Sequence, residues 1–346
     1  MPLLSASLGL LLLLFSLNIV AANKPQDHLH SDKQCVNCHQ EGIAELLEVL
    51  SKPKDSCTQC HTVAQIKTGD FTSAVSFTDV DGGDPKLRLT ADAGMRFPLL
   101  YQQSRIGAKP NKMVSVPAGK FIMGTNSGFF DEGPPHEVTL DAFMIDQYEV
   151  TNLQYETYIK ATNRRSPIHF RNRTYPEGKA DHPVIFVGWG DAVDYCTWAD
   201  KRLPSGKEWE KAARGSDGRT YPWGELFDPK KSNNPVRWRA ASHAGDTTPV
   251  GAFEEGVSVY GLYDTAGNVW EWTDSWYTPY PGNEVPAENY GERYKTLKGG
   301  SWFDCSFYKC GFSAALFNRS FFAKRTKNDT FGFRCAKDVP TAKGGE

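Results

Sequence analysis

Eight cysteines carry most of the chemistry that this sequence can do. Four of them belong to two Cys-x-x-Cys-His motifs near the amino terminus. In such a motif two thiols bond the vinyl groups of a c-type haem, and the adjacent imidazole becomes the proximal iron ligand. The sequence therefore predicts two covalently bound haems. The residues that would hold them are Cys35, Cys38, His39, Cys57, Cys60 and His61.

A zinc ribbon is the alternative interpretation of these motifs, because 18 residues separate Cys38 from Cys57. The histidine that directly follows each cysteine pair favours haem. We expect the sixth iron ligands to come from His28 and His30, just upstream of the first motif, with Met95 as a weaker candidate. Alternatively, both histidines are simply solvated.

The first 22 residues predict a secretory signal peptide. An apolar run reaches Phe15, and small residues follow up to Ala22, after which we expect cleavage. No Lys or Arg precedes the run, and an uncleaved membrane anchor is the alternative. Export would place the mature chain in an oxidising compartment such as the periplasm. The formal net charge of -2 predicts neither nucleic acid nor an anionic membrane surface as a partner.

Two domains are expected after the signal. Residues 23–110 form the predicted dihaem c-type cytochrome segment, mostly helical or irregular, and the stretch 105–112 has the composition of a linker. The second domain is expected over 111–340, followed by a tail at 341–346.

The second domain shows few regular patterns, which predicts an α+β fold with low secondary-structure content. Ser205 and Glu208 form a Ser-x-x-Glu capping box at the start of a helix that Gly215 ends. The remaining residues are predicted to be loops rich in Gly, Pro, Asn and Trp. The helix signals cover 149–163, 190–201 and 205–215, and alternating strand patterns cover 112–124 and 135–150.

A series of motifs identifies the second domain as similar to a known family. These motifs include VPAGKFIMGT, HPVIFVGWGDAVDYCTWADKRLPSGKEWEKAARG, DTAGNVWEW, LKGGSW and FGFRCA. In this order, from Met113 to Asp338, they resemble the formylglycine-generating enzyme (sulfatase-modifying factor) family. The resemblance implies a C-type-lectin-like fold. It leaves the activity open, because the same fold also serves sulfoxide synthases, pyoverdine-maturation proteins and non-catalytic modules.

Two cysteines after the Gly-Gly-Ser turn, Cys305 and Cys310, resemble the pair that binds Cu(I) in this family. Thiolates are soft ligands that select Cu(I). The resemblance also places Ser301 and Trp270 at the active cleft, although Trp270 could equally belong to the core. One residue more than in the family pattern separates Ser301 from Cys305, and the residues between the cysteines differ. A local disulfide between Cys305 and Cys310 is the alternative.

The resemblance further implies a calcium loop and a disulfide. Asp264 and Glu271 would supply carboxylates, and Gly267 and Val269 would supply backbone carbonyls, a donor set that suits Ca²⁺. The alternative is an aromatic core turn with exposed acids. The disulfide implied by the resemblance joins Cys196 to Cys335. The spacing of four histidines predicts no metal site: His136, His169, His182 and His243.

The leading hypothesis is an exported dihaem protein that oxidises a protein cysteine, or another thiol, with O₂ at a Cu(I) bis-cysteine site. The haems would supply electrons, calcium would rigidify the loop, and a periplasmic protein would be the redox partner. The alternative is an electron-transfer cytochrome. Its lectin-like domain would then be a non-catalytic binding or maturation module for a periplasmic redox enzyme.

Overall fold

The computed structural model describes residues 103–240, 245–303 and 314–339, with the backbone alone at 239–240. The predicted signal peptide, both haem motifs, their axial ligands and the tail lie outside the described residues. So do Cys305, Cys310 and His243. Across the three described ranges, no helix is long and apolar enough to span a membrane.

Four strands form the first part of the domain, as the alternating patterns predict. In β2, Phe121 and Met123 point into the core while Lys120 and Ile122 face outward. Strands β2 and β3 pair as an antiparallel hairpin, and β1, β4 and β9 form a three-stranded sheet in the order β1-β4-β9. The strands are β1 Met113–Val116, β2 Gly119–Met123, β3 His136–Leu140, β4 Phe143–Asp146 and, near the carboxyl terminus, β9 Ala336–Asp338.

Three helices are confirmed where the sequence predicts them. The first begins after Thr151, which caps it by accepting a hydrogen bond from the Gln154 backbone. The third begins after Ser205, whose capping box with Glu208 is present, and ends at Gly215. The helices are α1 Asn152–Thr162, α2 Trp189–Trp198 and α3 Gly206–Arg214, followed by the short α4 Pro235–Ala240 and the 3₁₀ turns Pro229–Lys231 and Glu254–Gly256.

A four-stranded sheet corrects the prediction that the rest of the domain is loops. Its strand order is β7-β6-β5-β8, with β5 and β8 parallel and the other pairs antiparallel. The first four residues of β5 are all buried, so no alternation marks them as a strand. The strands are β5 Trp270–Tyr277, β6 Gly291–Lys298, β7 Arg319–Phe322 and β8 Phe331–Gly332.

The largest cluster of the core lies between α1, α2 and this sheet, and a disulfide crosses it. The sulfur atoms of Cys196 on α2 and Cys335 before β9 are bonded, as the family resemblance implies. Both residues are fully buried beside Trp270 and Trp272 of β5. This bond links the middle of the domain to its carboxyl end.

The stretch expected to be a linker is bound along the domain. Asp181 accepts hydrogen bonds from the Ser104 hydroxyl and from the Arg105 backbone at 2.5 Å. Gln154 donates to the carbonyl of Lys109 at 2.8 Å and to the side chain of Asn111 at 2.9 Å. These contacts fix the described part of the chain from residue 104 onward against α1 and the loop before α2.

Candidate functional site

The turn after β6 is closed by hydrogen bonds of Ser301, and the segment that carries Cys305 follows it in the sequence. Ser301 is 1% exposed, and its hydroxyl donates to the Phe303 carbonyl at 2.6 Å while accepting from the Phe303 backbone N–H at 3.2 Å. The carbonyl of Gly299 accepts from the backbone of Gly267 at 2.7 Å. The Ser301 hydroxyl therefore holds the turn from which the chain enters 304–313.

Asn268 is the centre of the polar network beneath this turn; it lies in the DTAGNVWEW motif, but the sequence does not predict its role. Its carbonyl accepts from the Trp302 backbone at 2.9 Å, and its side-chain oxygen accepts from Asn233 and the Thr248 backbone, each at 3.0 Å. Its amide group donates to Glu149 at 2.6 Å. Asn268 is fully buried with φ 63°, so these bonds hold a non-glycine residue in the left-handed region.

Gly267 shows why this loop needs a residue without a side chain. Its φ is 128°, and a Cβ atom there would lie 2.2 Å from the Asn233 carbonyl oxygen. The close approach lets Asn268 donate its backbone N–H to that carbonyl at 2.8 Å. The two loops that carry Asn233 and Asn268 are thereby joined side by side.

Trp302 forms one wall of the region around the turn. Its indole packs on Gly245, where a Cβ atom would lie 2.5 Å from the ring, and its N–H donates to the Asp329 carbonyl at 3.4 Å. Burial, and then the neighbouring Asp246, raise the pKa of the Asp329 carboxyl. Asp246 in turn pairs with Lys179 at 2.5 Å. Trp302, Asp246 and Asp329 therefore lie together beside the turn formed by 301–303.

Trp270, expected at the cleft, is a core residue in the described structure. It is fully buried in the large cluster that contains the Cys196–Cys335 disulfide, and its backbone N–H donates to the Thr330 carbonyl at 2.7 Å. As the first residue of β5, it directly follows the loop that ends at Val269.

Three buried carboxylates surround one arginine below the loop. Arg334 donates to both oxygens of Glu271, at 2.6 and 2.7 Å, and Glu149 accepts from the Val269 backbone at 3.2 Å. Burial raises the pKa of Glu149 well above its usual range, and the neighbouring Asp264 and Glu271 raise it further. Burial likewise raises the pKa of Asp264 to about 6. With all three acids ionised, the one guanidinium would balance only one of the three negative charges.

The charge of this cluster suits a divalent cation, which the family resemblance implies, although within the described residues no three His, Cys, Asp or Glu side chains are grouped to hold a metal ion. Asp264 and Glu271, both predicted as ligands, are close enough to interact electrostatically. Glu149 is a third carboxylate that the sequence does not reveal, because it lies 119 residues before Asn268. Glu271 also accepts from the Trp209 indole at 2.8 Å, so a cation there would share it with Arg334 and Trp209. Calcium at Asp264, Glu271, Gly267 and Val269 stays a prediction.

Cys305 and Cys310 lie outside the described residues, and their donor chemistry is that of two thiols. Two thiolates are the ligands that Cu(I) prefers, so the residues present fit copper. Ser301, Trp302 and Phe303 are the described residues nearest to the pair in sequence, and the turn fixes them. Within the described ranges, His, Cys, Asp and Glu side chains form no group of three that could hold a metal ion. Of the described histidines, His182 contacts the Thr247 hydroxyl at 2.8 Å.

Comparison with known proteins agrees with this architecture. The model of the sulfatase-modifying factor enzyme 1-like domain matches residues 98–339. Formylglycine-generating enzyme from Bos taurus is 33% identical over 293 residues, covering 67% of this chain and 76% of that protein. The enzyme of the same name from Thermomonospora curvata is 34% identical, covering 65% and 93%. The inactive C-alpha-formylglycine-generating enzyme 2 from Mus musculus is 32% identical, covering 67% and 87%.

A solved structure shows the same fold. PvdO from Pseudomonas aeruginosa superposes with a TM-score of 0.53 and 29% sequence identity, covering 66% of this chain and 95% of PvdO. The similarity extends over the described domain. The similar proteins include two named formylglycine-generating enzymes and one named inactive. Because the family model matches more than half of its length, the chain belongs to the family of sulfatase-modifying factor enzyme 1-like domains.

Proposed function

We propose that this protein is an exported dihaem oxidoreductase that converts a cysteine of a protein, or another thiol, with O₂ as the oxidant. Cys305 and Cys310 would hold one Cu(I), and the haems at the two Cys-x-x-Cys-His motifs would supply electrons. The observation that carries the proposal is the thiol pair placed directly after the Ser301 turn, in a chain similar to formylglycine-generating enzymes.

The electron balance explains why haems would be joined to such a domain. Conversion of a cysteine to formylglycine changes the CH₂–SH group to an aldehyde and releases sulfide. With O₂ as the oxidant, the balance also requires two electrons and two protons and yields one water. Two c-type haems carry one electron each between their ferrous and ferric states, which matches the two electrons.

The described residues would act by positioning. Cys305 and Cys310 would hold copper, which when bound would supply a soft metal centre for the substrate thiolate and for O₂ chemistry. Ser301 closes the turn before Cys305, and Asn268 holds the Trp302 backbone in place. Trp302 and Asp329 would hold the turn that precedes the thiol pair in the sequence, and the buried acids around Arg334 would fix the loop that carries Asn268.

Anaerobic equilibrium dialysis of the full chain against buffered Cu(I), with metal measured by mass spectrometry, tests the proposal. We expect one tightly bound equivalent that is lost in both Cys305→Ser and Cys310→Ser. The matched control, Ser306→Ala, changes a residue between the cysteines and should retain the metal. O₂ consumption with a cysteine peptide should then depend on the same two residues. Copper binding that persists in both cysteine variants would refute the assignment.

A second function is favoured by the relative that is named inactive. In this alternative the domain is a non-catalytic binding or maturation module, and the haems alone make the protein an electron-transfer cytochrome. Cys305 and Cys310 would then form a disulfide. Thiol titration of the denatured, unreduced chain separates the two functions. Two free thiols agree with the copper site, and none agrees with the binding module.

A further inference from the structure

Two tryptophans on the surface share two lysines at the end of α2 that faces the four-stranded sheet. The Lys295 ammonium lies 4.5 Å from the ring centroid of Trp189 and 4.0 Å from that of Trp276. The Lys324 ammonium lies 5.5 and 5.0 Å from the same two rings. Both indoles are half-buried, whereas Lys324 is exposed. We call Trp189, Trp276, Lys295, Lys324 and the adjacent Arg325 the tryptophan–lysine platform.

Strand register builds this platform. Trp276 of β5 pairs with Lys295 of β6, which pairs with Phe322 of β7, so the three side chains form a row across one face. Lys324 follows two residues after Phe322. Its carbonyl accepts the backbone N–H of Trp189 at 3.0 Å, which ties the loop after β7 to the start of α2.

Hydrogen bonds keep the rings in place. The Trp189 indole donates to the Thr273 carbonyl at 3.1 Å. Lys295, whose side chain is 5% exposed, donates to the Asp274 carbonyl at 2.6 Å and pairs with its carboxylate at 3.1 Å. The buried Lys295 therefore holds both indoles by cation–π contacts while it is itself fixed by Asp274, so the two rings are positioned before any partner arrives.

The platform carries more positive than negative charge, although the whole chain has a formal net charge of -2. Lys327 pairs with Asp191 at 2.6 Å, and Lys295 pairs with Asp274. The remaining two cations, Lys324 and Arg325, are exposed and have no carboxylate partner in the part of the chain that the structure describes. Two cations without a carboxylate partner among the described residues thus border two half-buried indoles.

This composition is that of a protein interface. Tryptophan and arginine are the residues on which binding energy concentrates, and a charged rim selects a partner of opposite charge. Nucleic acid would require a longer basic stripe than two unpaired cations. We propose that the tryptophan–lysine platform is a docking surface for an acidic protein partner, whose carboxylates meet Lys324 and Arg325 while an apolar side chain covers the indoles.

The platform is joined to the turn at Trp302 by one short loop. Residues 323–330 connect β7 to β8, beginning at the platform and ending where the Asp329 carbonyl accepts from Trp302. Between them, the Asn328 carbonyl accepts the backbone N–H of Phe186 at 2.9 Å. A protein docked on the platform would therefore contact the same loop that accepts a hydrogen bond from Trp302. The docking itself does not depend on the proposed function.

Fluorescence anisotropy with the full chain tests the docking. The probe is a fluorescein-labelled peptide of alternating Asp and Glu with one central Phe, at an ionic strength of about 0.15 M. We expect Lys324→Gln/Arg325→Gln to weaken binding about tenfold. The matched control, Lys112→Gln/Lys230→Gln, removes the same charge from exposed lysines elsewhere that lack an ion pair within the described residues. It should change affinity less than about twofold.

A second variant separates docking from general charge attraction. Trp276→Leu leaves the charge unchanged and should also weaken binding. A thermal unfolding curve that matches that of the parent chain shows that the variant is folded. Equal losses in Lys324→Gln/Arg325→Gln and in the control Lys112→Gln/Lys230→Gln would overturn the proposal, as would a peptide that does not bind. Displacement of the peptide by citrate at the same carboxylate concentration would assign the platform to small anions and overturn a protein partner. No copper, haem reduction or O₂ enters this measurement, so its failure leaves the proposed function untouched.

Discussion

Arg334 offers the sharpest test of how the domain is held together. It is fully buried, and all five of its N–H groups donate hydrogen bonds. Two go to Glu271, and the other three go to the carbonyls of Asp146, Gln147 and Tyr263. The arginine thus balances buried acids and satisfies three loop carbonyls at once.

We expect Arg334→Met to lower the free energy of unfolding by about 3 to 5 kcal/mol, the cost of breaking a buried ion pair by removing one partner. Methionine fills the apolar stem but leaves the Glu271 carboxylate with only the Trp209 indole. This loss is a large part of the about 5 to 15 kcal/mol that stabilises a typical domain. Adding Glu271→Gln should recover part of it, because the uncompensated charge is then removed while the amide oxygen still accepts from Trp209.

Urea unfolding followed by tryptophan fluorescence measures this effect, provided that the slope against denaturant stays constant. The matched control is Arg325→Met, an exposed arginine whose replacement should change stability by less than about 0.5 kcal/mol. A loss below about 1 kcal/mol in Arg334→Met, or a double variant no more stable than the single one, would refute the reasoning.

Three further predictions concern stability. Replacing both Cys196 and Cys335 with Ala should cost about 5 kcal/mol in urea unfolding, because the bond closes a loop of 139 residues in the unfolded chain; a loss below about 2 kcal/mol would contradict this. Burial, with nearby Lys179, lowers the pKa of His169 to about 4. The stability that the neutral His169 side chain contributes is therefore present above pH 6.5 and is lost as the pH falls towards 4. His169→Gln should therefore reduce the stability lost between pH 7 and 4.5 by about 2 kcal/mol, and an unchanged pH profile would contradict it. Burial raises the pKa of Asp146 to about 6 despite its pair with Lys201, so the carboxyl is charged at pH 8 and mostly neutral at pH 5. Lys201→Met should therefore destabilise the domain more at pH 8 than at pH 5. Equal losses of stability at the two pH values would contradict this.

The elements that the sequence predicts are those whose signals are local. Thr151 and Ser205 cap their helices through residues three positions away, and β2 alternates between the core and solvent. Such patterns depend only on neighbours along the chain, so they are visible without tertiary structure. Strand β5 escapes prediction because four consecutive residues are buried by sheet and helices together.

The candidate site is only partly visible from the sequence for the same reason. The resemblance indicates Ser301 and Asp264, which lie on motifs, but Glu149 and Asn268 meet across 119 residues. A buried amide such as that of Asn268 carries no spacing signal, since its partners come from four separate loops. Trp270 shows the reverse case. The family motif indicates it as a cleft residue, but it belongs to the buried core among the described residues.

Buried cations explain how a domain with so little regular structure can hold its loops. Loop carbonyls that leave water need donors, and strand ladders supply few of them here. Lys211, 2% exposed, donates to two carbonyls between β1 and β2, at 2.7 and 2.9 Å, and Arg214 donates to three loop carbonyls at 2.6 to 2.8 Å. Arg334 binds three more. Each cation also lies near buried acids or loops distant in sequence, so one side chain fixes several segments. The turn at Ser301 is held in this framework through Asn268, so we expect the thiol pair that follows it in the sequence to depend on these buried charges.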